Sequence, residues 1–355
     1  MTGAGRGRRP GWQGWALAVA ALAAGLVSAA ASSALAEPDI LPKGAFDLKI
    51  RTRALPGFSV GTPAETRFGR LTFLGGLELE SETDHFGSLS GLVTLDQGRT
   101  LIAVSDNGMW FTARLATDAA GKPTGVSGAR MSAMLGTDGE PMIGKWESDA
   151  EGLTLRDGPN GRDLLVSFEG HHRVMAYPLD APTANGRPAL VWNVPGGPGA
   201  LRGNKSLEGV AVAPKASPLA GTIVAAAERG RPDAADHPGF LVGAKTSTFS
   251  IARRDDFDVT DLAFLPNGNL LILERRFNWV DGVRMRLLEV PAGEIRAGAR
   301  LVGTTLIDAD MRFQIDNMEG LAVDSDDKGA TILTIVSDDN RSVLQRTLLL
   351  RFRLD

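Results

Sequence analysis

From about Arg70 onward, short runs of Val, Ile, Leu and Phe alternate with polar turns rich in Gly, Pro, Asn and Asp. That texture predicts strands joined by tight turns, and helical spacing of apolar positions is weak throughout. Aligned with itself, the chain repeats one pattern five times. A small or acidic residue is followed by glycine or a substitute, an apolar strand, a turn, and a second apolar strand that ends in polar residues. The copies open at Ser90-Gly91, Glu151-Gly152, Glu208-Gly209, Thr260-Asp261 and Glu319-Gly320. Their second strands end at Ser105-Asp106-Asn107, Ser167-Phe168-Glu169, Ala227-Glu228-Arg229, Leu273-Glu274-Arg275-Arg276 and Val336-Ser337-Asp338-Asp339-Asn340.

Successive copies are 52 to 61 residues apart. This period is long for helical or leucine-rich repeats and suits a four-stranded propeller blade with generous loops. The expected fold is therefore an all-β propeller of six blades, each a four-stranded antiparallel sheet. Five blades carry the repeat. A sixth is expected from the two ends, Glu37 to His85 and Thr347 to Leu354, whose pairing would close the ring and hide its edges. The long linkers 117–146 and 231–256 read as excursions over a face, which leaves residues 37–355 as a single domain.

Residues 1–36 have a different character. Arg6, Arg8 and Arg9 precede an apolar run from Trp15 to Val27, and a small-residue stretch ends in Ala34-Leu35-Ala36. That order is the pattern of a cleaved secretory signal peptide, so the mature chain is expected in the periplasm or secreted, with no membrane segment after cleavage. The pair Arg8-Arg9 also opens a twin-arginine signal, but Pro10 and Gly11 follow it, which favours the general secretory route.

The chain has no cysteine, which removes disulfides, thiol nucleophiles and thiolate metal sites. A formal charge of −4, more negative once three arginines leave with the signal, excludes a polyanion such as nucleic acid as partner. Its four histidines show no metal-binding spacing.

In each copy the hairpin returns the second strand to the edge where the first began. In a propeller that edge is one face of the disc. Glu151, Glu208 and Glu319 should then gather at one mouth of the channel, with Asp106, Glu169, Glu228, Glu274 and Asp338 as a second tier. Arg173, Lys205, Arg229, Arg275, Arg276 and Arg341 are interleaved with them. Converging carboxylates repel unless they bind a cation or pair with basic side chains. Oxygen donors without sulfur or histidine suit a hard ion such as Ca2+. The candidate metal ligands are Asp106, Glu151, Glu208, Glu274, Glu319 and Asp338. Glu151 and Glu208 are candidate catalytic carboxylates, His171 a candidate proton donor, and Arg173, Lys205, Arg229 and Arg275 candidate contacts for an anionic substrate. The same pattern admits an architectural reading, in which Gly permits a bulge and Glu accepts hydrogen bonds or pairs with Arg between blades.

Several segments carry a resemblance. Asp149-Ala150-Glu151-Gly152-Leu153, Ser167-Phe168-Glu169-Gly170-His171-His172-Arg173, Asn204-Lys205-Ser206-Leu207-Glu208-Gly209 and Asp316-Asn317-Met318-Glu319-Gly320-Leu321 resemble the phytase-like family, labelled "esterase-like activity of phytase". So does Leu262 to Gly268, followed by Leu273-Glu274-Arg275-Arg276-Phe277. The likeness runs from about Gly69 to Asn340 and implies an exported bacterial propeller related to the calcium-dependent phytases. It implies Glu151, Glu208 and Glu319 as central acidic residues and Arg173, Lys205 and Arg275 as anion contacts, and it identifies no nucleophile. Ser90-Gly91 and Thr260-Asp261 depart from the Glu-Gly pattern, which weighs against a densely charged two-calcium phytase site.

The expected function is that of an exported metal-dependent hydrolase of phosphate or carboxylic esters, with water as nucleophile and a small anionic ester as substrate. Two alternatives stand beside it. One is a calcium-dependent propeller lactonase, for which Asn107, Asn317 and Asn340 would be apt ligands. The other is a non-catalytic propeller that binds a ligand or protein on its face.

Overall fold

The computed structural model describes residues 44–158, 161–194, 201, 205–231, 234–243 and 246–355. The expected signal peptide, residues 1–36, lies outside them. The apolar runs form strands that assemble into five sheets in chain order. Blade 1 holds β5 (Leu89–Leu95), β6 (Thr100–Ser105), β7 (Met109–Thr117) and β8 (Pro123–Ala133), with β1 (Phe46–Asp47) on its outer edge. Blade 2 holds β9 (Ala150–Gly158), β10 (Gly161–Phe168), β11 (Arg173–Pro178) and β12 (Leu190–Asn193). Blade 3 holds β13 (Leu207–Val212), β14 (Ile223–Ala227), β15 (His237–Val242) and β16 (Ser247–Ile251), extended by β20 (Arg300–Leu301) in parallel. Blade 4 holds β17 (Asp258–Phe264), β18 (Leu270–Asn278), β19 (Gly282–Val290) and β21 (Thr304–Ala309). Blade 5 holds β22 (Asn317–Ser325), β23 (Thr331–Asp338), β24 (Thr347–Leu354), β4 (Leu71–Ser81) and β2 (Ile50–Ala54), and β3 (Arg67–Phe68) pairs with β4.

The propeller thus has five blades among the described residues, not the six expected from the sequence. The two ends of the chain do pair, from Thr347 opposite Leu79 to Leu354 opposite Leu71. They complete the fifth blade instead of building another. The fifth repeat supplies only the hairpin β22–β23, and a two-stranded sheet would leave a long apolar edge in water. β24 and β4 cover that edge as third and fourth strands, so neither lines the channel.

All five inner strands bulge at the opening of the repeat. Two residues face one across the hairpin: Ser90-Gly91, Glu151-Gly152, Glu208-Gly209, Thr260-Asp261 and Glu319-Gly320 are each spanned by a register shift. A bulge re-aims the residue it extrudes, which here precedes the glycine. The glycine has a separate reason. A Cβ on Gly152 would lie 2.5 Å from the Glu208 carbonyl oxygen of the next blade, and one on Gly91 would lie 2.5 Å from the Leu153 nitrogen. Gly209 abuts Leu262 in the same way, and Gly320 abuts Ser90. In blade 4, Asp261 takes this place, and its carboxylate accepts the backbone N–H groups of Leu262 at 2.8 Å and of Leu321 in blade 5 at 2.7 Å. Hydroxyls add further links. Ser167 accepts from Gly152 N at 2.8 Å and donates to the Glu208 carbonyl, while Thr260 donates to the Met318 carbonyl at 3.1 Å.

Apolar packing between blades supplies the cohesion that disulfides do not. Trp110 of blade 1 meets Tyr177 of blade 2 edge-on at 5.2 Å. Phe58 packs against Phe68, Phe73, Phe313 and Phe352 where the chain ends join the ring. Behind the bulges Leu92, Leu153, Val212, Leu262 and Leu321 line the channel, an apolar wall directly behind the extruded residues. Among the described residues no helix is long and apolar enough to cross a membrane.

Candidate functional site

The bulges of blades 2, 3 and 5 place Glu151, Glu208 and Glu319 at one mouth of the channel, and Ser90 and Thr260 occupy the other two positions. Glu208 and Glu319 are buried and Glu151 is partly buried. Burial pushes the Glu151 carboxyl well above its ordinary value, and the charges of Asp149, Glu169, Asp106 and Glu319 add to the shift. Glu208 is displaced the same way, first by burial and then by Glu151, Glu169, Glu228 and Glu319. Glu319 is pushed up to about 7, burial outweighing the Arg275 guanidinium whose Nε lies 2.8 Å from its carboxylate.

The second tier comes from the ends of β6, β10, β14 and β23. Glu169 accepts the Ser206 backbone N–H at 2.9 Å, yet burial, with Asp149 beside it, pushes its carboxyl up to about 8. Asp338 also rises to about 8, through burial and then the charge of Glu319. Lys205 pairs with Glu228 at 2.8 Å. Lys145, in the short helix α1 (Lys145–Ser148), contacts Asp106 and Asp149 at 3.0 Å each.

These carboxylates form two adjoining groups. One oxygen each of Asp149, Glu151 and Glu169 lies within 4.8 Å of the others, and the same holds for Glu169, Glu208 and Glu228. Glu169 belongs to both, so the pair spans blades 2 and 3. Carboxyls driven toward protonation in an apolar-walled site are short of positive charge, and an oxygen-only donor set fits a hard divalent cation. Asp106 Oδ1 and Asn107 Nδ2, at the same rim, are buried without a hydrogen-bond partner among the described residues.

Of the expected ligands, Glu151 and Glu208 belong to these groups, while Asp106, Glu319 and Asp338 are electrostatic neighbours outside them. Glu274 stands apart. It is fully buried and held by Arg286 at 2.7 Å, and Arg286 also reaches Asp255 at 3.0 Å. Register is the cause: Glu274 pairs with Val259 as Ser105 pairs with Leu89 and Ala227 with Leu207, so Arg275 stands where Asp106 and Glu228 do, and Glu274 lies opposite Arg286 on β19.

The expected anion contacts also divide. Lys205 and Arg275 point at the acidic group, each bound to one of its carboxylates. Arg229 turns to Asp258 at 2.8 Å. Arg173 is buried over the Phe168 ring at 4.3 Å and donates to the carbonyls of His171 and Glu147, so it fastens α1 to blade 2. His171 lines a cleft with Glu147 and Arg173, its Nδ1 3.6 Å from the Glu147 carboxylate. Its neighbour His172 is the one tied to the site, through Nδ1 to the Glu169 carbonyl and at 2.9 Å to Ser206 Oγ. His237 does the same for Glu228, with Nδ1 donating to its carbonyl at 2.6 Å. Burial lowers both histidines, which keeps them neutral supports of the carboxylate backbone. Asp149 is the member of these groups hardest to find from sequence, because its signal is a backbone bond: Glu169 N donates to Asp149 O at 2.9 Å and sets the two side by side.

Among solved structures, the chain is similar to Sqt1 of Chaetomium thermophilum bound to the N-terminus of the ribosomal protein L10. The identity is 15%, the TM-score 0.33, and the match covers 75% of this chain and 62% of that one. Sqt1 from the same organism, in a second structure, matches at 14% identity and a TM-score of 0.32, covering 75% and 61%. The chain therefore spans less than two thirds of either. No curated protein matches the sequence. A family model described as "Phytase-like: Esterase-like activity of phytase" matches residues 84–341, and the chain belongs to this phytase-like family.

Proposed function

We propose that the protein is a metal-dependent hydrolase of phosphate or carboxylic esters, exported to the periplasm or beyond by its N-terminal segment. The observation that carries this reading is the pair of three-carboxylate groups sharing Glu169. Asp149, Glu151, Glu169, Glu208 and Glu228 would hold the ion, and their all-oxygen character favours Ca2+. When bound there, the ion would polarise an ester oxygen and activate water. Arg275 and Lys205, already at the rim, orient the anionic group of the substrate. Glu319, fixed by Arg275, is the carboxylate assigned to pass a proton between water and the leaving group. His171 has no part in this reading, because its contacts lie with Glu147.

The test begins with the metal content of the purified mature protein and its melting temperature with calcium and with chelator. Stoichiometric calcium, a chelator-induced drop, and turnover lost in Glu151→Gln and Glu208→Gln on a panel of phosphate esters, carboxylic esters and lactones would support it. Absence of bound metal, with melting and activity indifferent to both variants, would sink it.

A further inference from the structure

Beside Glu319 the rim carries a groove that the acidic group does not explain. β6 ends at Ser105 and β14 at Ala227, but β18 continues past Arg275 to Asn278, still paired with β19 to Gly282. The extra three residues raise the hairpin about 10 Å above the rim. Its tip is apolar and in water: Trp279 is 93% exposed, Val280 94%, and Phe277 packs edge-on against Trp279. Across the groove stand Leu344, 89% exposed, in the turn between β23 and β24, and Met311, which follows β21. Single exposed apolar residues are ordinary, whereas several gathered in one place mark a binding surface.

The hollow between these walls has a volume of about 510 Å³ and is lined by Phe277, Trp279, Val283, Met311, Ile315 and Leu344. Its polar lining includes Arg275, Asn317 and Asn340. Arg275 is the guanidinium held 2.8 Å from Glu319, and Asn317 hydrogen-bonds the same carboxylate. The groove therefore opens onto the acidic mouth through two residues that line both. A hollow of this size, apolar with a few convergent polar groups, suits a small molecule.

We infer that this groove receives the uncharged alkyl or aryl part of a singly anionic ester, with the head group held at Arg275 and Asn317. The assignment of the ester to this mouth rests on the hydrolase reading above, while recognition of the apolar part rests on the groove alone. A polyphosphorylated ring, charged on every side, would gain nothing from these walls.

The experiment is calorimetric titration of the mature protein with methyl-, butyl- and octylphosphonate, which cannot be hydrolysed. A fully buried methylene tightens binding roughly fourfold, so octylphosphonate should bind at least about tenfold tighter than butylphosphonate. Trp279→Ala and Leu344→Ala change exposed side chains and should fold normally. Each should bring the octyl-to-butyl ratio to within about threefold of unity, since the methylenes are then no longer enclosed. Equal affinities across the series, no binding at all, or a ratio that survives both substitutions would overturn the inference. The ratio should persist in the Glu151→Gln, Glu208→Gln double variant, and a parent protein that shows the ratio yet turns over no ester of the panel would refute the hydrolase reading and leave the groove standing.

Discussion

Glu169 accepts the backbone N–H of Ser206, in the next blade, at 2.9 Å, and Ser206 Oγ returns a hydrogen bond to the Glu169 carbonyl at 2.8 Å. The carboxylate shared by the two acidic groups is therefore fixed by a neighbour that moves with Glu208 and Glu228. One consequence concerns metal binding. Glu169→Gln keeps the size and the accepted N–H but removes the charge common to both groups. It should weaken calcium by more than about tenfold, and by more than either Glu151→Gln or Glu228→Gln does, since each of those belongs to one group only. Calcium titration by calorimetry ranks the three. An effect of Glu169→Gln no larger than that of Glu228→Gln would mean the groups do not act together.

The pH dependence of stability follows from the same crowding. Burial raises Glu169 and Asp338 to about 8 and Glu319 to about 7, with Glu151 and Glu208 well above their ordinary value. Unfolded carboxyls release their protons near pH 4, so between there and about pH 8 the folded chain holds more protons than the unfolded one. Stability of the metal-free protein should then fall as pH rises through that window. Ionised ligands bind cations, so calcium should restore stability most at the alkaline end. Melting curves in chelator should show a higher melting temperature near pH 5 than near pH 8, with the gap reduced or reversed by calcium. A chelated protein most stable near pH 8 would contradict the assigned crowding.

The glycines of the bulges should be intolerant for a reason independent of the metal. A methyl group on Gly152 would meet the Glu208 carbonyl oxygen at 2.5 Å, and one on Gly209 would meet Leu262 N at 2.7 Å. Backbone of the adjacent blade cannot yield without opening the ring, so Gly152→Ala or Gly209→Ala should cost about 1–3 kcal/mol or more. Gly293→Ala, with open space around it, is the control. Urea denaturation of the three variants checks this. Equal midpoints would show that the inner strands have room the geometry denies them.

Much of this architecture is legible in the order of residues alone. The five Glu-Gly, Ser-Gly and Thr-Asp openings mark the five inner strands, because a bulge with close inter-blade contact needs that residue pair wherever a blade begins. The convergence of Glu151, Glu208 and Glu319 follows from the repeat and the hairpin. The blade count is not legible in the same way, since a strand pattern such as Thr347–Leu354 says that a strand exists but not which position in a sheet it takes. Fates of the second-tier acids are equally hidden. Glu228 follows Ala227, the partner of Leu207, whereas Glu274 is itself the partner of Val259, so Arg275 takes the equivalent place at the mouth and Glu274 meets Arg286 within its blade. That difference lies in cross-strand register, which pairs residues far apart in the chain. Arg173 misleads for a similar reason: its stacking on Phe168 and its reach to Glu147 depend on where α1 folds back.

Glu274 supplies the sharpest separation of architecture from chemistry. Its carboxylate is fully buried and paired with an equally buried Arg286, and its electrostatic neighbours, Arg286, Arg254 and Asp258, include none of the central carboxylates. Removing one member of such a pair leaves Arg286 with only the exposed Asp255 and the Arg254 carbonyl as partners, a loss of up to about 3 kcal/mol. Glu274→Gln should therefore lower the urea midpoint substantially while leaving calcium stoichiometry and affinity as in the parent protein. Glu208→Gln should do the reverse in the metal-free state, where replacing a crowded carboxyl with an amide relieves repulsion, and should weaken calcium. Paired denaturation and calcium titrations of the two variants decide the matter. If Glu274→Gln also released the ion, the second tier would form one continuous acidic ring, and the division between blade 4 and the mouth would be wrong.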